Sequence, residues 1–564
     1  MCLRFFLTIF IFQISHGQTI YPQDYFTSPL EIPLILSGSF GELRTNHFHA
    51  GLDIKTQGRS GLKVKSSAEG YVSRIKISRF GYGKAIYIQH PNGYTSVYAH
   101  LKKFNPVIEE YVKKEQYQKE SYEIELFPKP NTLTLNKNEL IGFSGNTGGS
   151  GGPHLHFEIR DKNQKPINPL LFGFDIPDTK PPRLDAVYAY ALNDTSYIGN
   201  GEKFSKLRLI PYGKSKNKTP KLEAYGEIGF GIIATDKNDY APNKNGLYRV
   251  SSFLNGVNNF EILFKKFDFN ETHLINNYID YKFFKEDYKR VQKLFIPNEN
   301  NLSLVKNSEN KGIVSIKDKL STNYKVYIDD FEDNRTELNI QKEEKKDTSF
   351  HFLKKLRTNL YEVHKNETKS VELNNTKLTF PKNAFFEDVT LEIHKSGDTL
   401  FVHKDIIPLS KNFYVNYDVS MYNQNDQCKL YIASLYGYKK KSNYLTSKLK
   451  EGIISAKTKN LGIFCLKSDD TNPIIKSIDL KDKKWMSNYR FLKFKINDKD
   501  SGIKNYRATI NNQWILMEYD YKTENLIFDF NDFTSYPTKN EFKLIVTDNV
   551  GNSTKFESTF YRKK

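Results

Sequence analysis

The chain has 564 residues, 38% hydrophobic and 14% aromatic, which is more than one core usually serves and too apolar for a disordered segment. Its 84 Lys and Arg outweigh 65 Asp and Glu, giving a formal charge of +19, yet the basic residues are spread among Asn and Ile along the whole length. With no dense basic stripe, a solvated Lys-rich surface is expected and no nucleic-acid partner.

In chain order, Arg4 precedes an apolar run from Phe5 to Phe12, and small residues follow at Ser15 and Gly17. The run is too short to span a bilayer and reads as a secretory signal peptide, residues 1–17. Cys2 leaves with it, so Cys428 and Cys465 are the cysteines of the exported chain, and two cysteines alone do not fix a disulfide. No later stretch is long and apolar enough to cross a membrane. The expected destination is the periplasm or cell envelope, or the medium.

Residues 18–177 read as a β-rich first block. "GYVSRIKI" and "KAIYIQHPNGYTSVYAHL" alternate apolar and polar positions, and Pro91-Asn92-Gly93 marks a hairpin. "NPVIEEYVKKEQYQKE" breaks this pattern. Asn105 is placed to cap a helix with Pro106 at its first position. The helix belongs to an insertion, residues 104–137, expected to be a surface excursion in preference to a lip over a cleft.

Of the 12 histidines, six lie in this block: His47, His49, His90, His100, His154 and His156. "NHFHAGLDI" sets His49 four residues before Asp53 in a loop entering a strand, close enough for an imidazole and a carboxylate to share a metal. In "PHLHFEIR" a strand puts His154, His156 and Glu158 on one face and Leu155, Phe157 and Ile159 on the other. "YAHLKK" ends the second hairpin strand in His100. The run "GNTGGSGG" before His154 lacks the Lys-Ser/Thr of a phosphate-binding loop and leads to a strand, so its glycines are expected to serve a turn and a close approach. His47 and His90 are expected to be structural.

Further on, two seams look alike, "DTKPPRLDAV" from Asp178 and "DTNPIIKSID" from Asp470. The regions they open end alike as well: "YKVYIDDFEDNRTEL" from Tyr324 aligns with "FKLIVTDNVGNSTKF" from Phe542, each a strand, an Asp/Asn turn and a strand. Between them, "LEIHKSGDTLFVHKD" predicts a hairpin around Ser396-Gly397-Asp398. The fold class is therefore mainly β, with β-sandwich, Ig-like domains at 178–345, 346–469 and 470–564 after the first block.

"HAGLD", "YAHL" and "GNTGGSGGPHLHFE" stand in the order and approximate spacing of the lysostaphin-like, or LytM-type, M23 zinc metallopeptidases, and residues 40–172 resemble that family. The resemblance implies an antiparallel-sheet peptidase domain with one zinc per chain. It implies His49, Asp53 and His156 as metal ligands. His100 and His154 then correspond to the two unligated catalytic histidines, one a general base and the other orienting or stabilising. The family's usual substrate is peptidoglycan, cut in stem peptides or cross-bridges, and an exported zinc metalloendopeptidase of that kind is the expected activity. The long insertion departs from the compact lysostaphin pattern. It is similar to a Bacteroidetes-type form with C-terminal β-domains, which are expected to position the enzyme or hold envelope protein partners. A peptidoglycan-binding scaffold or activator that does not cut, and a zinc peptidase acting on proteins, are the alternatives.

Overall fold

The computed structural model describes residues 21–296, 302–316, 322–344, 359–532 and 537–563; the expected signal peptide lies outside them. Strands dominate throughout, and no helix among the described residues is long and apolar enough to cross a membrane.

The first block is built on an antiparallel sheet whose main path runs Leu36–Gly38, Leu52–Lys55, His154–Arg160, Thr95–Ala99, Lys84–Gln89, Gly70–Ile77, Ile124–Leu126. The alternation seen in the sequence explains the order of burial. Leu52, Ile54, Ile86, Ile88, Tyr98, Leu155, Phe157 and Ile159 share one core. Removing the ring of fully buried Phe157 would cost about 3–5 kcal/mol. Pro91-Asn92-Gly93 turns the expected hairpin, with Gly93 at φ +88° and its amide donating to the His90 carbonyl at 3.0 Å.

The insertion is more than a surface excursion. Its helix, Pro106–Lys119, starts where Asn105 accepts a hydrogen bond from the Ile108 amide, and it buries Ile108 and Val112 in the same core. The chain then returns as Ile124–Leu126, an edge strand on Gly70–Ile77, and Thr134–Leu135 pairs with that strand too. Apolar residues at two helix positions, Ile108 and Val112, and three strand positions, Ile124, Leu126 and Leu135, bind the insertion into the sheet.

The region after Asp178 differs from a two-sheet sandwich. Its 14-residue strand Leu222–Thr235 pairs antiparallel with Arg183–Ala191 along its later residues and parallel with Arg335–Glu344 at its start. One long strand therefore serves both halves, and thirteen described strands form a continuous sheet around one large core, with a small second cluster at Ala186, Tyr188 and Val291. Gly226, at φ +84°, lies between the two stretches, where a side chain would meet Ser196. Phe40 and Phe48 of the first block enter this core and pack on Phe264 and Phe267. The residue preceding His49 is thus anchored in the neighbouring unit.

Two sandwiches follow. The first has six- and five-stranded sheets and contains the expected hairpin, Val389–Ser396 with Thr399–Val402. The second orders its sheets Ile474–Ser477, Phe491–Asn497, Asn525–Asp529, Glu518–Asp520 and Lys484–Trp485, Ser553–Tyr561, Lys539–Asp548, Ile503–Ile510, Gln513–Trp514. That is the strand order of an immunoglobulin-type sandwich. Cys428 is exposed, Cys465 is buried, and both are free thiols.

The repeated closing motif forms equivalent hairpins, Thr322–Asp329 with Arg335–Glu344 and Lys539–Asp548 with Ser553–Tyr561. In each, a turn Asn donates both to the Asp four residues earlier and to a linker carbonyl. Asn334 reaches Asp330 and the carbonyl of Asp178; Asn552 reaches Asp548 and the carbonyl of Asp469. The structure therefore equates Asp178 with Asp469, one residue away from the Asp470 that matching the two seams by sequence suggests. The hydrogen-bonding partner, not the Asp-Thr pair, sets the register.

Candidate metal centre

The strand His154–Arg160 lies between Leu52–Lys55 and Thr95–Ala99, with His156 opposite both Asp53 and Ala99. This one register collects side chains from three distant stretches. Gly51 makes it possible, because a β-carbon there would lie 2.2 Å from the Phe157 carbonyl oxygen. Likewise a β-carbon on Gly148 would lie 2.3 Å from the Gly83 amide. The glycine run is a close approach between backbones, as its sequence suggests.

His49 Nε2, Asp53 Oδ1 and His156 Nδ1 are mutually 3.0 Å apart. Their outward atoms are all held. His49 Nδ1 donates to the Ser39 carbonyl at 2.8 Å, and His156 Nε2 donates to Glu158 at 2.8 Å. A carbonyl and a carboxylate only accept, so both rings carry their proton outward and turn a lone pair inward. With both rings neutral, three lone pairs meet with no donor among them, the chemistry of a cation site; without a cation, a second proton on His156 takes that place. Tetrahedral zinc ligands at about 2.0–2.1 Å from the ion stand about 3.3 Å apart, a few tenths from the spacing here. Two imidazoles and one carboxylate therefore fit zinc.

Electrostatics agree. Burial alone would raise Asp53, but His49, His154 and His156 around it hold its carboxyl well below the usual carboxylate range. Arg44 supports it from outside, Nη2 to Oδ2 at 2.9 Å, and also pairs with Glu42. Burial would lower His156, yet hydrogen bonds with Asp53 and Glu158 push it up to about 9 in the metal-free chain. A bound cation would replace that proton. Glu158 is fully buried, and Arg160 and His156 overcome burial to pull it down to about 2. Arg160 Nε donates to it at 2.6 Å, and the Tyr82 hydroxyl also donates to it.

His100 and His154 flank this set with ring centres 4.7 Å apart. His100 takes φ +59°, a left-handed conformation uncommon outside glycine. Its Nδ1 donates to the Thr147 carbonyl at 2.8 Å, and His154 Nδ1 donates to the Gly152 carbonyl at 2.9 Å. The loop 145–152 thus anchors both rings and leaves each Nε2 as an acceptor. Burial and the neighbouring His156 and His154 push His100 down to about 3, so it is neutral at physiological pH. His154 Nε2 lies 3.4 Å from Asp53 Oδ1.

All five residues singled out from the sequence come together. His47 stays exposed with its ring on the Thr45 carbonyl, and buried His90 is satisfied by the Glu69 carbonyl and Ser96, so neither joins the centre. Reading the sequence placed Glu158 on the histidine face without giving it a role, and missed Arg160, Tyr82 and Arg44. A signal for Glu158 and Arg160 was present, since a Glu and an Arg follow His156 at alternate positions of the same strand face.

The profile described as Peptidase family M23 matches residues 47–117 and 131–169, a span containing all five residues. Residues 47–169 therefore form a domain of the M23 peptidase type. The gap in the match falls inside the insertion, and a Zu5-like domain profile matches residues 360–469. Among curated relatives, the DD-carboxypeptidase/endopeptidase Mpg of Neisseria meningitidis is 34% identical over 136 residues, covering 24% of this chain and 25% of the relative. The cell division protein DipM of Caulobacter vibrioides is 28% identical over 177 residues, 28% of this chain and 24% of the relative. The chain thus spans about a quarter of the length of these relatives. The solved catalytic domain of lysostaphin from Staphylococcus simulans is 22% identical and covers 25% of this chain and 91% of its own, with a TM-score of 0.19.

Proposed function

We propose that this metallopeptidase is an exported zinc endopeptidase that hydrolyses peptide bonds in bacterial peptidoglycan, in stem peptides or cross-links. The observation that carries the reading is the convergence of three lone pairs from His49, Asp53 and His156 beside two imidazoles whose Nδ1 atoms are both tied to loop carbonyls. Zinc held by those three residues supplies Lewis-acid polarisation of the scissile carbonyl and a more acidic water. The protein does the rest. With Nδ1 tied to carbonyls, His100 and His154 offer Nε2 as acceptors, and a water between them donates to both and presents a lone pair to the substrate. His154, nearer Asp53, takes the proton and returns it to the leaving amine, while His100 orients the water. Glu158 and the Ser39 carbonyl keep the ligand rings from turning. The apolar run Phe5–Phe12 supports export, which would bring the enzyme to this polymer.

Digestion of purified sacculi tests the reading. The chain should release soluble fragments whose new termini, read by mass spectrometry, mark a hydrolysed peptide bond. His154→Ala and removal of zinc should each stop release, and restoring zinc should recover it. Continued release after both treatments would refute the proposal.

A further inference from the structure

The last sandwich folds back on the peptidase domain. The turn joining Glu518–Asp520 to Asn525–Asp529 carries Tyr521 and Lys522 to the rim of the site. Tyr521 packs on Phe80 with ring centres 4.6 Å apart. Lys522 Nζ donates to the carbonyls of Asn146, at 2.5 Å, and Ser150, at 3.1 Å. Those carbonyls belong to the loop 145–152, whose Thr147 and Gly152 carbonyls hold His100 and His154.

The loop needs outside support. Five of its eight residues are glycine, the residue that loses most conformational freedom when ordered. Its other ties include the Gly149 amide on the Gly81 carbonyl at 2.7 Å and the Thr147 hydroxyl on the Leu101 carbonyl at 2.9 Å. An ammonium bridging two carbonyls four residues apart makes two charge-assisted hydrogen bonds across the middle of the loop. The turn that delivers Lys522 is itself docked. Glu518 pairs with buried Lys84 at 2.9 Å, Asp532 pairs with Lys113, and Trp514 packs on Tyr117. Between these contacts lies an open cavity of about 600 Å³, lined by Lys84, Thr147, Gly148, Glu518 and Tyr519 among others. Lys522 itself is exposed and lies outside the core, so replacing it removes a brace without emptying packed volume.

We propose that Lys522 is a positioning residue of the peptidase: from the last sandwich it braces the loop 145–152 and so sets the orientation of His100 and His154. The proposal rests on the peptidase reading above. Lys522 need not touch substrate. It acts through the carbonyls that fix which nitrogen of each catalytic ring faces the cleft, and the C-terminal domain becomes part of the catalytic unit.

The test compares the full chain with Lys522→Ala and Lys522→Arg, using a soluble cross-linked muropeptide as substrate. Misplacing both rings by a fraction of an ångström should lower kcat of Lys522→Ala by about tenfold. KM and zinc content should stay within about twofold, because Lys522 contacts neither the ligands nor the proposed scissile bond. Lys522→Arg should recover most of kcat. Hydrogen exchange of the 145–152 amides, followed by mass spectrometry in the zinc-free protein, should quicken in Lys522→Ala and not in Lys522→Arg. An active wild type matched in kcat and in loop exchange by Lys522→Ala overturns the brace alone. A change confined to KM overturns positioning in favour of substrate contact, and a rise in kcat shows that the turn blocks the cleft. A wild type that cleaves no substrate overturns the peptidase reading, and with it this role.

Discussion

Two clusters of ligand-type side chains make an instructive pair. His49, Asp53 and His156 converge at the peptidase centre, and Asp178, Asp236 and Asp330 converge at the seam behind it; in both, the ligand atoms lie within 4.8 Å of one another. At the centre every outward atom is tied, and the inward carboxylate is held well below its usual range. At the seam, burial and neighbouring carboxylates push Asp236 up to about 8, and burial leads in pushing Asp330 up to about 6. Asn238 and Asn334 satisfy Asp178 and Asp330, but Asp236 Oδ1 has no hydrogen-bond donor among the described residues. Imidazoles share a proton outward and a lone pair inward, so a mixed set is ready for a dication near neutral pH. At the three carboxylates burial and mutual repulsion favour the protonated forms instead, and Asn334 fastens the linker through the Asp178 carbonyl. Ligand count alone does not make a catalytic centre; the groups behind the ligands do.

The largest test breaks the centre itself. His156→Ala should lose stoichiometric zinc and at least about a thousandfold in cleavage, several kcal/mol of transition-state stabilisation, read by metal analysis beside sacculus digestion. Glu158→Gln sharpens the argument about outward partners. It keeps all three ligands but removes the charge behind His156, so zinc affinity should fall about 10–100-fold in chelator competition.

The seam should answer to pH in the opposite sense from a paired carboxylate. Asp236 and Asp330 bind protons in the folded state that they release when unfolded above about pH 4. Their contribution is therefore present below pH 4 and lost as pH rises through about 6 and about 8, because the unfolded state binds fewer protons there. Facing groups are Asp178 and Glu332, with Lys180 engaged by Asp239. Thermal unfolding of the metal-free chain should thus be a few degrees cooler at pH 8.5 than at pH 5.5, about 2–4 °C per kcal/mol. Asp236→Asn should flatten that difference; an unchanged pH slope would show that the carboxylates do not interact. The smallest effect concerns the thiols: Cys428 should react with a thiol reagent in the native protein without loss of activity, while buried Cys465 should react only on unfolding.

The sequence by itself determined the features that depend on near neighbours. Alternation over a few residues set the strands, Pro91-Asn92-Gly93 their turn, and Asn105-Pro106 the helix start, because turns and caps are satisfied within about four residues. It also brought out His49, Asp53, His100, His154 and His156 as a group through motif order. Tertiary structure alone decided how those residues act. The pairing of His156 with Asp53, 103 residues apart, follows from burying Leu155 and Phe157 in a core made by the whole sheet. Three of the four rings, all but His156 on Glu158, are anchored by backbone carbonyls, at Ser39, Thr147 and Gly152, and a carbonyl has no signature in residue type. Lys522 reaches Asn146 across 376 residues only because one sandwich docks on another domain. Among 84 Lys and Arg, nothing but that docking singles it out.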